Sequence, residues 1–338
     1  MKKRALVTGG CGFIGSNLSK SLVEDGWTVD IVDDMSSGDL NLLSGTSMRV
    51  VPIDLLRSYF ESPAAEKRET DQLLVIQGDF SHQNTLTLIR EGRYDVVFHQ
   101  AAIPRVSFSV ENPSATTDVN VASTVRLFEA CIDNVKRIVW ASSSSVYGGA
   151  DVMPTPVTTP RNPKSPYAWQ KSTIEDLSKM FCNLYDIDIV CLRYFNVFGP
   201  GQLAGSPYST AVSAWCHAIK NDLPLRSDGD GTQSRDLCYV DNVVSANMLA
   251  AISDTVFSGK AYNVCCGDRT SNREILNFLT DRFPDIGIED APWRTGDVMH
   301  TQGDWSAARD DFGYSPLVRF WEGMERTLDW WELKEDEV

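Results

Sequence analysis

The stretch from Arg4 to Glu24 limits what this chain can fold into more than any other. A short apolar run, RALVT, leads into GGCGFIG, after which Leu18, Leu22 and Val23 recur at helical spacing. The pattern predicts strand, glycine turn and helix. Gly10, Gly12 and Gly15 fit G-x-G-x-x-G, while Gly9, Gly12 and Gly15 fit G-x-x-G-x-x-G. Either form lets backbone N–H groups at a helix start approach a pyrophosphate. A second apolar run, Thr28 to Val32, closes on Asp33 and Asp34, 18 and 19 residues beyond Gly15. A carboxylate there accepts hydrogen bonds from ribose hydroxyls and repels a 2′-phosphate, which selects NAD over NADP. A plain strand-end turn is the competing reading of Asp33.

The rest of the chain continues the alternation. Residues 41–72 are mixed in pattern, carry Pro52 and Pro63, and read as a long connection with partial helix. Leu73 to Ile76 predicts a strand ending at Gly78-Asp79-Phe80, and Asp95 to His99 another ending at Gln100-Ala101-Ala102. Thr116 to Ile132 predicts a helix containing Asn120, and Arg137 to Ala141 a further strand. Strands alternating with helices predict an α/β fold: a Rossmann-type doubly wound parallel sheet that binds its ligand at the carboxyl ends of the strands. After Tyr194, Gly199-Pro200-Gly201 and Pro207-Tyr208 mark a departure into a smaller C-terminal α/β lobe. We therefore expect a dinucleotide-binding domain over 1–195, rejoined by 238–266, and a substrate lobe over 196–237 and 267–338. Ala211 to Lys220, Asp241 to Ile252 and Phe320 to Trp331 read as helices, and Lys260 to Val264 as a strand. The tryptophans of the last helix read as packing.

Composition excludes several classes. With 338 residues and a formal charge of −15, the chain is large enough for a substantial core and too acidic to favour nucleic acid or an anionic membrane as partner. No apolar run reaches the roughly 18 residues of a spanning helix, so a cytoplasmic protein is expected. The eight cysteines sit in apolar segments without a C-x-x-C pair and read as reduced core thiols. The four histidines lack zinc-ligand spacing, so no metal site is expected.

Tyr167 and Lys171 lie four residues apart behind a helix-start signal, Ser165 as N-cap and Pro166 at the first helical position. That spacing puts a phenol and an ammonium on successive turns of one face, where the positive charge favours the phenolate. A solvated tyrosine beside a surface lysine is the bland alternative. Ahead of them, the strand at 137–141 runs into Ser142-Ser143-Ser144-Ser145-Val146-Tyr147-Gly148, a hydroxyl cluster at a carboxyl edge of the sheet.

In this order the motifs TGGCGFIGSNL, VDDMSSG, GDF, HQAA, DVNVAST, ASSSSVYG, SPYAWQK, LRYFNVFGPGQ, DGTQSRDLCYVDNVV and RTGDVMHTQGDWSAA resemble the extended short-chain dehydrogenase/reductase family over nearly the whole chain. Within that family, dehydratase-like members carry Asp-Glu where this chain has Ser144-Ser145, and decarboxylases a Glu in place of Ser145. What remains resembles the nucleotide-sugar 4-epimerases. The resemblance implies Tyr167 as the base at the sugar 4-OH, Ser143 on the same oxygen, and Lys171 on the nicotinamide ribose, holding the Tyr167 pKa down together with the cationic nicotinamide. It implies NAD contacts from Gly9, Gly12, Phe13, Ile14, Gly15, Asp33, Asp34, Met35, Ser36, Gly38, Asp79, Phe80, Gln100, Ala101, Ala102, Asn120, Tyr167, Lys171 and Tyr194. UDP-sugar contacts are implied for Ser107, Ser143, Ser144, Tyr167, Asn196, Ala211, Val212, Trp215, Arg235, Arg294, Asp297 and Thr301, and a homodimer through the helices of 116–132 and 167–185.

Sugar choice turns on Thr301, seven residues past Arg294. Some glucose/galactose-restricted relatives carry a bulky Tyr there against the C2 substituent, so a threonine leaves room for an N-acetyl group and favours UDP-GlcNAc/UDP-GalNAc, with UDP-glucose/UDP-galactose also open. Arg105 could face a sugar carboxylate, which keeps a UDP-uronic acid 4-epimerase or another C4-oxidising enzyme as the alternative. A non-catalytic NAD-binding sensor is the third reading; such a protein typically loses part of the Ser143, Tyr167 and Lys171 set, which is complete here.

Overall fold

The computed structural model describes residues 3–66, 68, 72–204, 210–293 and 298–333. The chain forms two compact units: Met1–Ser143, Ser165–Arg193 and Val244–Tyr262 in the first, and Ser144–Lys164, Tyr194–Val243 and Asn263–Val338 in the second.

The main sheet has the strands β1 (Arg4–Thr8), β2 (Thr28–Asp33), β3 (Met48–Pro52), β4 (Leu73–Gln77), β5 (Val96–His99), β6 (Arg137–Ser143), β7 (Asp188–Tyr194) and β8 (Ala261–Val264). Their order is β8-β7-β6-β5-β1-β2-β4-β3. The pairs from β3 through β6 run parallel. Parallel strands covered by helices on both faces need near-continuous apolar runs. Accordingly Leu6, Val7, Ile31, Val97, Phe98, Ile138, Val139, Ile189 and Val190 have no exposure. Successive strands build outward from β1 through β2 and then start again at β5 on its other side. This reversal opens a crevice at the carboxyl ends of β1 and β5.

The helices that shape the crevice are α1 (Phe13–Glu24), α2 (Gln83–Arg90), α3 (Val106–Glu111), α4 (Pro113–Thr117), α5 (Thr124–Cys131) and α6 (Pro166–Leu184). Three local expectations are corrected. The connection at 41–72 contains β3, an edge strand paired with β4 from Met48↔Leu73 to Pro52↔Gln77. Its burial is mostly outward, which hid any period of two. The helix expected over 116–132 is broken by a π-helical turn at Asp118–Ser123, and β6 runs on to Ser143.

The units also divide differently from the expected ranges. Residues 144–164 group with the second unit because their polar groups pair there: Tyr147 Oη donates to Asn263 Oδ1 at 2.6 Å and the Thr155 N–H to Gln302 O at 2.7 Å. Residues 238–243 follow, with Asn242 bonded to the Leu317 and Val318 backbone. Within the second unit, α7 (Ala211–Lys220) packs near a parallel pair formed by Leu225–Asp228 and Ile288–Ala291.

Candidate active site

At the crevice, the glycine turn closes on itself. Gly9 lies at φ +68°, and a Cβ there would sit 2.8 Å from the Ala101 Cα, so the turn and the end of β5 are in backbone contact. A Cβ on Gly15 would fall 2.1 Å from the Gly9 carbonyl. Gly12 caps α1 without a side chain, leaving the first-turn N–H groups of Phe13 and Ile14 outside the helix's own bonding. A backbone cradle of this kind suits a pyrophosphate.

Asp33, at the end of β2, is buried and accepts from the Cys11 N–H and the Met35 N–H, both at 2.9 Å. Burial raises its carboxyl above the usual range, against the pull of those two N–H groups. Each oxygen keeps a second lone pair for a ribose hydroxyl. Met35 holds φ +62°, and a Cβ on Gly38 would lie 2.6 Å from the Asp33 Oδ1, so the loop wraps the carboxylate closely. Asp34 is exposed and accepts from the Ser36 N–H; Asp79, likewise exposed, accepts from the Ser81 N–H. Phe80 is buried with its ring 4.9 Å from that of His99.

His99 braces the crevice from beneath. Thr124 Oγ1 donates to Asn120 O at 2.9 Å, so it must accept from His99 Nε2, also at 2.9 Å. His99 Nδ1 is then the acceptor for the Thr8 hydroxyl at 2.7 Å, and that hydroxyl accepts from the Ala101 N–H. Burial pushes this histidine down to about 3, so the relay rests on a neutral ring of one tautomer. Gln100 donates from Nε2 to Asn247 Oδ1 at 3.0 Å, while Ala102 follows in the same half-buried segment.

The proton-transfer candidates lie on α6. Ser165 Oγ accepts from the Ala168 N–H and Pro166 takes the first helical position, the start read from the sequence. One face then buries Tyr167, Gln170, Lys171, Ile174, Glu175 and Ser178 at spacings of three and four. Lys171 Nζ donates to Ala141 O at 2.6 Å and lies 5.7 Å from the Tyr167 ring centroid. The Tyr167 phenol is hydrogen-bonded to the Ser143 side chain. Burial pushes the Tyr167 phenol up to about 12, and its bond to Ser143 opposes the rise. Lys171 itself is pushed down to about 7 by burial, against Cys191 and Glu175.

Neighbouring buried groups escaped the sequence reading. Glu175 accepts from Ser142 Oγ at 2.6 Å and from Arg193 Nε and Nη2 at 2.8 and 2.7 Å. This pins α6 to β6 and β7, and leaves Ser143 as the residue of that run facing the phenol. The i+4 step from Lys171 to Glu175 was the available signal. Asn120, on the π-helical turn, accepts from the Ile103 N–H at 2.8 Å and donates to Ile103 O and to Gln170 Oε1. Its amide braces the loop after β5. Ser107 lies exposed on α3, and Tyr194 is buried at the end of β7.

In the second unit, Asn196 holds φ +31° and donates to Asp236 O and to Thr301 Oγ1, both at 3.0 Å. Thr301 Oγ1 also accepts from the Asp236 N–H at 3.2 Å. The Asp236 carboxylate accepts three backbone N–H groups, from Cys266, Gly267 and Gly303. Asp236 too was missed, although it is embedded in SRDLCYVD. Arg235 donates to Ser234 O and Met299 O. Val212 and Trp215 of α7 are buried while Ala211 is exposed, and the Trp215 indole donates to Arg226 O at 2.9 Å. Ser144 is half-buried in the turn after β6. Arg294 and Asp297 lie outside the described residues.

Among the described residues no cluster suited to a metal ion occurs, and no helix is long and apolar enough to cross a membrane. Residues 5–265 match the profile of the NAD dependent epimerase/dehydratase family. A UDP-glucose 4-epimerase of Mycolicibacterium smegmatis is 33% identical over 339 residues, covering 98% of this chain and 99% of the relative. A solved UDP-N-acetylglucosamine 4-epimerase from Methanobrevibacter ruminantium, in complex with UDP-N-acetylmuramic acid, superposes with a TM-score of 0.85 at 33% identity, covering 98% and 99% of the two chains. A Thermus thermophilus UDP-glucose 4-epimerase solved with NAD gives 0.81 at 28% identity, covering 97% and 99%.

Proposed function

The chain belongs to the NAD dependent epimerase/dehydratase family, and from that premise we propose that it interconverts UDP-hexoses at C4, with UDP-GlcNAc and UDP-GalNAc as the preferred pair. The carrying observation is the Tyr167 phenol hydrogen-bonded to Ser143 on a helix that also buries Lys171. Ser144 and Ser145 stand where an eliminating enzyme would need carboxyl acids, so the set supports moving one proton at one oxygen.

The glycine turn, with Phe13 and Ile14, would hold the pyrophosphate of NAD, Asp33 the adenosine ribose and Lys171 the nicotinamide ribose. The cofactor supplies reversible hydride exchange with the sugar carbon and, when oxidised, a positive charge. Tyr167 takes the proton of the 4-OH as the carbonyl forms and returns it when the carbonyl is reduced. Ser143 bonds the same oxygen and shares the phenol's proton. Burial raises the phenol, and a positive charge held beside it would favour the phenolate. A cofactor that takes and returns the same hydride would need no external reductant.

Asn196, Arg235 and Thr301 of the second unit, together with Arg294 and Asp297, would hold the nucleotide-sugar diphosphate and hexose; a guanidinium fork suits paired phosphate oxygens in an acidic protein. We read the enzyme as a cytoplasmic homodimer, in keeping with eight free cysteines and with Trp169, Met180 and Leu184 exposed on α6. The test is incubation with UDP-GlcNAc, UDP-glucose and UDP-glucuronate separately, with product identification. Epimerisation at C4 of the acetylated sugar above the neutral one is expected. Turnover of the glucuronate alone would replace this reading with a uronic acid epimerase at Arg105, and no turnover of any sugar would sink it.

A further inference from the structure

Gln170 is wholly buried, between Tyr167 and Lys171 in the sequence of α6, and its hydrogen bonds have a single possible direction. Thr117 Oγ1 donates to Pro113 O at 2.7 Å, and Thr116 Oγ1 to Asn112 O and Pro113 O at 3.1 Å. Each hydroxyl has spent its one proton, so toward Gln170 it can only accept. The Gln170 Nε2 group therefore faces them, at 2.9 and 3.0 Å. That leaves its Oε1 turned to Asn120, which donates from Nδ2 at 2.8 Å. The Asn120 amide is fixed the same way round, because its Oδ1 accepts from the Ile103 N–H at 2.8 Å. The chain Ile103, Asn120, Gln170, Thr116/Thr117 is satisfied in one sense only. At its two ends lie the loop after β5 and the helix ahead of the π-helical turn.

We propose that Gln170 is a positioning residue for this chemistry: it fixes the rotation of α6 about its own axis, and so the aim of Tyr167 and Lys171. Residues on a helix turn by about 100° each, so anchors on one side alone leave rotation free. Lys171 and Glu175 tie α6 to Ala141 and Ser142 of β6. Gln170 ties it on the other flank to the π-helical turn, and the Tyr167 N–H donates to Ser109 Oγ of α3 at 3.1 Å. Losing the Gln170 tether leaves an Asn120 N–H without its acceptor and two hydroxyl oxygens without their donor, a strain that the helix relieves by turning. This inference rests on the assignment of Tyr167 and Lys171 above.

The test uses NAD-loaded holoenzyme of Gln170→Met, which keeps the volume and removes both polar atoms. We expect kcat to fall by about 10- to 100-fold, with the sugar KM within about twofold, since misaim by around an ångström costs that much while binding is untouched. Gln170→Glu keeps an acceptor for Asn120 but sets a carboxyl against two hydroxyls whose protons go to Asn112 O and Pro113 O, so it should recover little of the loss. Amide hydrogen exchange at Ile103 and Tyr167 should quicken in the Met variant. A folded Met variant with unchanged kcat overturns the proposal, as does unchanged exchange at both amides. If Gln170→Met does not fold, the Thr116→Val/Thr117→Val double variant removes the acceptors, together with their own bonds to Asn112 O and Pro113 O, and leaves Gln170 in place; unchanged kcat and exchange there overturn it equally. Wild-type protein inactive on every sugar would defeat the epimerase reading instead, and the exchange arm would still decide whether Gln170 holds the helix.

Discussion

Two buried polar clusters, one in each unit, are built on opposite principles. On α6, Tyr167 and Lys171 each have their ionisation displaced by burial, to about 12 and about 7, and each is held by few protein contacts. Around Asp236, a carboxylate is held by three backbone N–H groups, and Asn196 and Thr301 bond to the same segment. Burial acts on Asp236 as well, pushing it up to about 7, but its oxygens are filled by the fold itself. On the function proposed above, the difference separates groups kept available for proton movement from groups spent on shape. It follows that substitutions on α6 should alter the rate more than the fold, and those at Asp236 the fold more than the rate.

The largest effect on that contrast should come from Tyr167→Phe. It removes a phenol hydroxyl, leaves the helix start intact, and should lower kcat by about 10³-fold or more at full NAD occupancy, as expected for loss of the general base. An undiminished rate would erase the distinction. Lys171→Met should cost about 10²-fold in kcat and yet stabilise the protein. Its folded value of about 7 lies below the unfolded one of 10.5, so between those values the unfolded chain binds more protons and wild-type stability rises with pH. Below about 7 this contribution is flat and fully unfavourable. Burial raises the cysteine thiols and makes them lower stability toward pH 9 in both proteins alike, so urea melts at pH 7 and pH 9 should show wild type gaining on the methionine variant as pH rises; an unchanged difference would mean that Lys171 is not the group responsible.

Asp236→Asn tests the other side. An amide places N–H groups where three backbone donors converge, and should cost about 3 kcal/mol of stability in chemical denaturation. The rate per folded molecule should stay within a few-fold. A large kcat loss in a stable variant would show that Asp236 also belongs to the chemistry.

How far the sequence disclosed these clusters follows from the range of their interactions. The glycine turn and the Ser165-Pro166-Tyr167 helix start are local: backbone conformation and capping are decided within a few residues, and both are where the pattern put them. The parallel sheet was equally legible, since its strands are buried on both faces. β3 was not, because an edge strand with one buried residue in five carries no period. The π-helical turn at Asp118–Ser123 was invisible for another reason: its geometry is set by Asn120 reaching Ile103 and Gln170, 17 and 50 residues away. Arg193 with Glu175, and Asp236 with Gly303, are pairings of the same kind. Lys171 was recognised by spacing, but the opposite shifts that burial imposes on it and on Tyr167 were not, because spacing does not report burial.

Thr301 is where the two principles meet with the smallest expected effect. Its place in the sequence suggests that it leaves room for an N-acetyl group, whereas its hydroxyl is already an acceptor for Asn196 and Asp236. A tyrosine there therefore changes two things, filling space and deleting an acceptor inside the Asp236 cluster. Thr301→Val deletes the acceptor while keeping the volume, so it should lower kcat/KM for UDP-GlcNAc and UDP-glucose by the same modest factor, about threefold to tenfold for one lost buried bond. Thr301→Tyr should add to that a further loss of about tenfold on the acetylated sugar only, since bulk discriminates between substrates that differ in size. The ratio of the two sugars in Tyr, divided by the ratio in Val, isolates the steric part. If that quotient is one, Thr301 is only another strut of the Asp236 cluster, and the preference for an acetylated sugar must be sought in contacts that favour the acetyl group directly.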